Sequence, residues 1–132
     1  KSRLTQDATT GTNAHTYDYS YDSTDNRLTS SETGVVTTFN YDIGARLTTS
    51  TDGSGTTTYT YDSCGNLTIV ASPSVALVAT LSYDKENRLS VHVGATTTTT
   101  YQYDGDGVKR TESQGIVATL LWDGTDYLGV TG

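Results

Sequence analysis

Cysteine occurs once and proline once in 132 residues, and methionine not at all. The lone Cys64 forbids an intrachain disulfide, which excludes the framework that stabilises many small secreted domains. Basic residues are few, with eight Lys and Arg against fifteen Asp and Glu and a formal net charge of -7. No basic run is present, so nucleic acid and anionic membranes are poor partners, because phosphate contacts are made mainly by clustered cations. Long apolar runs are missing too. The most apolar stretch, Ile69 to Leu81, is broken by Ser72, Pro73 and Ser74 and falls short of the roughly 20 apolar residues of a membrane-spanning helix. No window carries the roughly 3.6-residue period or the caps of an α-helix. Nothing at the N-terminus resembles a signal peptide, and the chain starts at Lys1 rather than Met, so a leader removed or never included is compatible with it.

Aliphatic residues are also scarce. Leu, Ile, Val and Phe number 24, about 18% of the chain, a share that with this charge often reads as disorder. The rest of the composition opposes that reading. Disordered chains favour Pro, Glu, Lys and Gln, whereas this one has three Glu and three Lys but ten Tyr and 28 Thr. Tyr and Thr favour strands, so the chain is expected to be β-rich, with aromatics replacing part of an aliphatic core.

The abundant Tyr are not scattered. An aromatic followed by Asp recurs six times, at Tyr21-Asp22, Tyr41-Asp42, Tyr61-Asp62, Tyr83-Asp84, Tyr103-Asp104 and Trp122-Asp123, with spacings of 20, 20, 22, 20 and 19 residues. A period of this length indicates stacked units rather than a fold around one centre. Two residues before each pair's aromatic stand Tyr19, Phe39, Tyr59, Leu81, Tyr101 and Leu120, so every unit places two large apolar groups on one face of a strand. The Asp ends that strand as a turn residue, its carboxylate accepting a backbone N–H one or two residues on. Three positions later stand Asp25, Ala45, Gly65, Asn87, Gly107 and Asp126, five of them types that tolerate a left-handed backbone, while Ala45 is preceded by Gly44. Leu follows the Asp by five residues at Leu47, Leu67, Leu89 and Leu128 and by six at Leu28, usually just after Arg or Asn (Arg27, Arg46, Asn66, Arg88), which is expected to restore an apolar contact as the second strand leaves the turn. Only the unit after Asp104 departs from this. Second turns are marked by Gly34, Gly53 with Gly55, Ser72-Pro73-Ser74, Gly94 and Gly115. Each unit of about 20 residues thus reads as a β-hairpin, and residues 1–132 as a single array of about six, with a partial unit at each end. Stacking is expected to bring equivalent Tyr onto neighbouring strands in aromatic contact.

The run from Tyr59 to Leu67 (Tyr-x-Tyr-Asp-x-x-Gly-Asn-Leu), with variants at Tyr83 to Leu89 and Tyr101 to Gly107, resembles the YD-repeat, or Rhs-repeat, family. Six motifs in register cover nearly the whole chain. The resemblance implies a long spiralling β-sheet of hairpins, solenoid-like and open at both ends here. Members include bacterial Rhs toxins, C components of insecticidal toxin complexes, wall-associated bacterial proteins and teneurins. In the toxins the sheet wraps into a shell around an effector, and in teneurins it forms an extracellular barrel. The family's shells use many more repeats, and neither the core segment that follows them in bacterial toxins nor a toxin domain is present. Arg3-Leu4 reads as the tail of a preceding unit and Gly129 to Gly132 stops within a second strand. The chain is therefore expected to be an excerpt of a longer protein or a protomer that pairs end to end.

Sites for chemistry are sparse. His15 and His92 lie in different contexts without a nucleophile motif, and Cys64 sits in a turn at a position the family leaves variable. Asp104-Gly105-Asp106-Gly107 has the flavour of a calcium loop but lacks the later ligands and closing Glu of an EF-hand; Asp123-Gly124-Thr125-Asp126 is similar, and turn chemistry explains both. Asn66-Leu67-Thr68 is an N-glycosylation sequon, and Thr56 to Thr58 and Thr96 to Thr100 could carry O-linked sugar, although alternating Thr on a solvent-facing strand accounts for them without modification. Six equivalent Asp at one turn position mark structure rather than a glycosidase carboxylate pair. No catalytic residue, metal or cofactor is expected. The expected structural residues are Tyr19, Tyr21, Asp22, Tyr41, Asp42, Tyr59, Tyr61, Asp62, Gly65, Tyr83, Asp84, Asn87, Tyr101, Tyr103, Asp104, Gly107, Trp122 and Asp123. The expected function is a non-enzymatic scaffold in a large secreted or cell-surface protein, enclosing cargo or presenting a binding domain; the alternative is a self-associating extracellular fibre, glycosylated on its Thr-rich faces. Expected partners are further repeats of the chain or identical protomers, with cargo polypeptide or carbohydrate, and neither nucleic acid nor an inserted membrane.

Overall fold

Alternating apolar and hydroxyl side chains, punctuated by turn residues, fold the described residues almost wholly into strands and turns. The computed structural model describes residues 3–11, 14–73, 77–123 and 126–131, with only the backbone described at 77, 78 and 123. The strands are β1 (Gln6–Ala8), β2 (Thr16–Tyr21), β3 (Arg27–Glu32), β4 (Val35–Tyr41), β5 (Leu47–Asp52), β6 (Gly55–Tyr61), β7 (Leu67–Ser72), β8 (Leu77–Tyr83), β9 (Leu89–Val93), β10 (Thr98–Tyr103), β11 (Lys109–Ser113), β12 (Val117–Asp123) and β13 (Asp126–Thr131). They follow one another in chain order in one unclosed antiparallel sheet of thirteen strands. The expected all-β hairpin array is what forms. The aromatic–Asp pairs close the even-numbered strands, so a strand without a pair lies between each two of them.

That order corrects one expectation. Equivalent Tyr do not stand on neighbouring strands, because the second strand of each hairpin intervenes; the ring pairs recorded among the described residues are His15 with Tyr17 and Trp122 with Tyr127.

The chain divides into two compact units, Lys1–Tyr59 with Ala71–Val75 and Thr60–Val70 with Ala76–Gly132. In the first, Tyr17, Tyr19, Tyr21, Phe39 and Tyr41 are half-buried on one face of the sheet, while Asp18, Ser20, Thr38 and Asn40 between them are exposed. On that exposed face Ser20, Thr29, Thr38, Thr51 and Thr56 pair in turn across β2 to β6. Ser20 and Thr29 share a hydrogen bond of 2.6 Å, and Thr51 and Thr56 one of 2.8 Å. In the second unit Leu81, Tyr83, Tyr101, Tyr103 and Trp122 repeat the half-buried stripe. Ala79, Thr99 and Leu120 are the only buried residues among those described. Stability is therefore spread over many half-buried rings rather than drawn from a closed core.

The five hairpins that turn at Asp22, Asp42, Asp62, Asp84 and Asp104 have the same joint. The pair's Asp accepts a backbone bond from the residue three on and donates its own N–H to the carbonyl four on, as in Asp62, with Gly65 N–H at 3.1 Å and Asn66 O at 2.9 Å. This is the three-residue loop in which a type I turn is followed by a left-handed residue. Asp25, Ala45, Gly65, Asn87 and Gly107 take that place, at φ 73°, 59°, 89°, 60° and 82°. The strain at Ala45 falls on Ala45 itself and is not passed to Gly44. Asp126 is no turn residue: it pairs with Asp123 as the first residue of β13. Gly124 and Thr125 of that turn, like Ser74 in the Ser72-Pro73-Ser74 turn, lie outside the described residues.

Beside every joint described in both strands the register slips by one residue. Arg27 opposes Tyr21, Leu47 opposes Tyr41, Leu89 opposes Tyr83, Lys109 opposes Tyr103 and Tyr127 opposes Trp122, and the next residue of the second strand is the unpaired bulge. A one-residue slip moves a side chain to the other face. Leu28 and Leu128 are consequently bulge residues, 39% and 65% exposed, and not the apolar contacts that the sequence spacing suggests. Arg27 and Lys109 take the place that Leu holds elsewhere. The guanidinium of Arg27 lies 4.5 Å from the Phe39 ring centre and the ammonium of Lys109 lies 5.3 Å from that of Tyr101. The unit after Asp104, which breaks the Leu pattern, is thus completed by a cation over a ring.

The turn between β3 and β4 has left-handed backbone at both Thr33 (φ 48°) and Gly34 (φ 88°). A β-branched side chain is strained there, and Asn-Gly is the favoured pair for such a two-residue turn. Thr33→Asn is expected to stabilise the chain by about 1 kcal/mol, read as a raised urea midpoint. An unchanged or lowered midpoint would remove the strain argument.

Candidate functional site

The residues with organised chemistry are those of the repeated joint. In each described case one carboxylate oxygen gathers the turn's amides. Asp22 Oδ1 accepts from the N–H groups of Thr24 and Asn26, both at 2.9 Å, and from the Thr24 hydroxyl. Asp42 accepts from Gly44 and Arg46, Asp62 from Cys64 and Asn66, Asp84 from Glu86 and Arg88, and Asp104 from Asp106 and Val108, all within 2.8–3.0 Å. The donors stand two and four residues on, where the sequence led us to expect one or two. The second oxygen takes a side chain: Asn26 and Asn66 at 2.9 and 3.0 Å, Arg46 and Arg88 at 2.7 Å. After Asp104 the fourth residue is Val108, which has no donor to offer, and Arg110 supplies the contact at 2.6 Å from the bulge. This explains the Arg or Asn just before Leu at Arg46, Asn66 and Arg88, and shows Arg27 to be misaligned with them, since Asn26 does that work.

These bonds favour the charged carboxylate. The Asn26 amide, against an opposing push from burial, holds the Asp22 carboxyl down at about 2. Asp42 is lowered by the backbone N–H and then the guanidinium of Arg46, and Asp62 by the side chain and backbone of Asn66. Burial pushes Asp84 up, but the Arg88 N–H and guanidinium together outweigh it, and Asp104 is lowered by the Val108 N–H and, against burial, Arg110. The side chain of Asp123 lies outside the described residues.

The pair's aromatic performs the second task. The Tyr21 hydroxyl donates to the Leu4 carbonyl at 3.0 Å, Tyr41 to Arg27 at 2.9 Å, Tyr83 to Leu67 at 2.9 Å and Tyr103 to Leu89 at 2.8 Å. Trp122, the one pair residue that is not Tyr, uses its indole N–H on the Lys109 carbonyl at 2.7 Å. Each of these five aromatics therefore latches onto a preceding strand, and Arg27, Leu89 and Lys109 are the residues opposite the preceding pair's own aromatic. Neighbouring turns are tied as well: Arg3 reaches the Asp22 carbonyl and Asp25 carboxylate, Asn66 the Asn87 side chain at 3.0 Å, and Arg88 the Asp104 carbonyl at 3.3 Å. No spacing rule in the sequence pointed to this latch. The one available signal was that Trp, which also carries a donor, replaces Tyr in the sixth pair.

The remaining candidates stay apart. His92 opposes Leu81 and Thr99, His15 Nδ1 lies 3.8 Å from Glu32, and Cys64 is exposed at a turn tip. Among the described residues no three His, Cys, Asp or Glu cluster as metal ligands, and Asp104 is engaged by three of the chain's own residues. Thr56, Thr58 and Thr60 alternate to the exposed face of β6. Asn66 is different, since its amide gives bonds to both Asp62 and Asn87. A sugar on Nδ2 would displace one of them. The folded chain expressed in a glycosylating host is expected to keep Asn66 unmodified, and a glycosylated Asn66 peptide in mass spectrometry would contradict that.

An open all-β hairpin repeat whose units are joined by a latch and a capped turn is the class this geometry defines. The RHS Repeat family matches residues 44–74, so the chain carries an RHS repeat, as its YD motifs suggested. No curated protein matches the sequence. Among solved structures, the fold is similar to a chain in the crystal structure of TcdB2-TccC3-Cdc42 (TM-score 0.73, 17% identity) and to one in TcdB2-TccC3 without its hypervariable C-terminal region (TM-score 0.73, 18% identity). Each similarity covers 86% of this chain and 7% of the other. A chain in TcdB2-TccC3-TEV is similar at TM-score 0.71 and 17% identity, over 85% and 7%. The chain thus spans a small fraction of the length of the structures it matches.

Proposed function

We propose that the chain is a non-catalytic scaffold segment of a larger secreted or cell-surface protein, whose stacked hairpins enclose or present another polypeptide. The observation that carries this reading is the employment of the polar groups. In the five described joints the carboxylate that could serve as acid, base or metal ligand is spent on the turn's own donors, and in four of them the aromatic donor is spent on the preceding strand. The RHS repeat and the likeness to short stretches of much longer chains support a repeat segment over an autonomous enzyme. Its partners are further repeats of the same protein and an enclosed cargo polypeptide; carbohydrate on the Thr-rich face is a lesser candidate.

The test is protection of cargo. In the full-length protein that contains this segment, the polypeptide following the repeats should resist protease while the array is folded. It should become cleavable when Tyr83 and Tyr103 are both alanine. Equal cleavage with the array intact and unfolded would rule out enclosure.

A further inference from the structure

Of the chain's five arginines four hold a carboxylate: Arg3 that of Asp25, Arg46 of Asp42, Arg88 of Asp84 and Arg110 of Asp104, at 2.6–2.7 Å. Arg27 is the exception. Its guanidinium lies 4.5 Å from the Phe39 ring centre and 6.0 Å from that of Tyr19, and among the described residues it gives no hydrogen bond and makes no ion pair. The second unit shows what is different. Lys109 occupies the same seat there, and Glu112 neutralises its ammonium at 2.9 Å. Glu112 stands opposite Tyr101 as Ser30 stands opposite Tyr19, so beside Arg27 a serine replaces the acid. The short hydroxyl leaves both an open charge and open space. Arg27, Ser30 and Thr37 line a groove of about 590 Å³ together with Tyr17, Tyr19 and Glu32, all within the first unit. Small-ligand sites have volumes of this size.

The geometry points to this groove as a binding site for a sugar that carries a carboxylate, a role beyond the scaffold reading and on the face opposite the row of Ser and Thr hydroxyls. A guanidinium laid on rings is weakly hydrated and keeps its N–H donors at its rim, where they match the two oxygens of a carboxylate. Tyr19 and Ser30 pair across β2 and β3, and Glu32 pairs with Tyr17 further along the same face. Glu32 Oε1 accepts from the Tyr17 hydroxyl at 3.0 Å and lies 3.8 Å from His15 Nδ1, which leaves Oε2 to accept from ligand hydroxyls. The groove thus offers rings for C–H faces, hydroxyls and a carboxylate for O–H groups, and one cation for an acid group. A neutral sugar would leave the cation unanswered. A peptide fits less well, because the backbone groups of β2, β3 and β4 already pair within the sheet and strand addition is closed to it here.

The experiment titrates the 132-residue chain with glucuronate, glucose and acetate while backbone amide and arginine Nε shifts are followed by NMR. Glucuronate is expected to shift Tyr19, Arg27 and Ser30 and to saturate at millimolar concentration. Glucose, which lacks the acid, and acetate, which lacks the hydroxyls, should each bind about tenfold more weakly. Arg27→Leu places at this seat the residue that Leu47 and Leu89 supply elsewhere, so it should keep the melting temperature while losing about tenfold in affinity. Ser30→Glu recreates the pair that Lys109 makes with Glu112 and should lose as much, because Arg27 is then neutralised from within. No shift in the groove at about 50 mM glucuronate, equal binding of glucose or of acetate, or parental affinity in a folded Arg27→Leu chain would each overturn the inference. Tighter binding of the acidic peptide Gly-Glu-Gly than of the sugar would overturn the ligand class. The groove lies within one unit and does not depend on enclosure, so a failed titration leaves the cargo-protection result standing.

Discussion

Replacing Tyr83 and Tyr103 together with alanine is expected to cost about 6 kcal/mol and to abolish cooperative unfolding of the strands around them. Each half-buried ring withdraws apolar surface worth about 2 kcal/mol, and each hydroxyl makes a hydrogen bond worth about 1 kcal/mol net. Tyr83 holds Leu67, and Tyr103 holds Leu89 while lying 4.7 Å under the Arg88 guanidinium. A domain with net stability of about 5 to 15 kcal/mol and few buried residues has little reserve against such a loss. Guanidinium denaturation followed by circular dichroism should give a broad, early transition. A sharp transition within about 1 kcal/mol of the parent would show that the rings do not hold the hairpins together.

Acid should loosen the same joints. Asp22, Asp42, Asp62, Asp84 and Asp104 all ionise more readily in the folded chain than in a free peptide. A carboxyl lowered by folding binds fewer protons when folded, so its contribution is complete above the unfolded value of about 3.9 and disappears as pH falls through the folded one. For Asp22 the window reaches down to about 2. The melting temperature is therefore expected to be flat from neutral pH to about 4.5 and to drop steeply from about 4 to about 2. Asp84→Asn, which keeps the size of the side chain but removes its charge, should lower the neutral-pH melting temperature and reduce the drop. A profile unchanged to pH 2 would mean that the carboxylates do not stabilise the turns through their charge.

Much of the fold was legible because the hairpin writes itself locally. The apolar pair two apart, the Asp, and a residue tolerant of left-handed backbone three further on each reflect chemistry within a few residues, and five of those turns form. What depends on pairing between strands was not. Leu28 and Leu128 read as apolar contacts of the second strand because spacing from the Asp cannot reveal a bulge there, and one residue of slip reverses their face. Nothing local in the sequence places Phe39 beside Arg27 or Tyr101 beside Lys109. The aromatic–aromatic contact expected of a stacked repeat failed for a topological reason, as each hairpin inserts its second strand between one Tyr and the next. The same insertion creates the latch, since it brings a backbone carbonyl within reach of each hydroxyl.

The central claim is that the aromatic of each pair joins hairpins through its donor group as well as its ring. Tyr103 and Tyr101 lie two apart on β10 with rings on the same face, but Tyr103 donates to Leu89 at 2.8 Å while Tyr101 contributes its ring beneath Lys109. Denaturation of Tyr103→Phe beside Tyr101→Phe therefore isolates the latch. The account predicts a loss of about 1 kcal/mol for the first and close to none for the second. Equal effects of the two substitutions, or no effect of Tyr103→Phe, would contradict it.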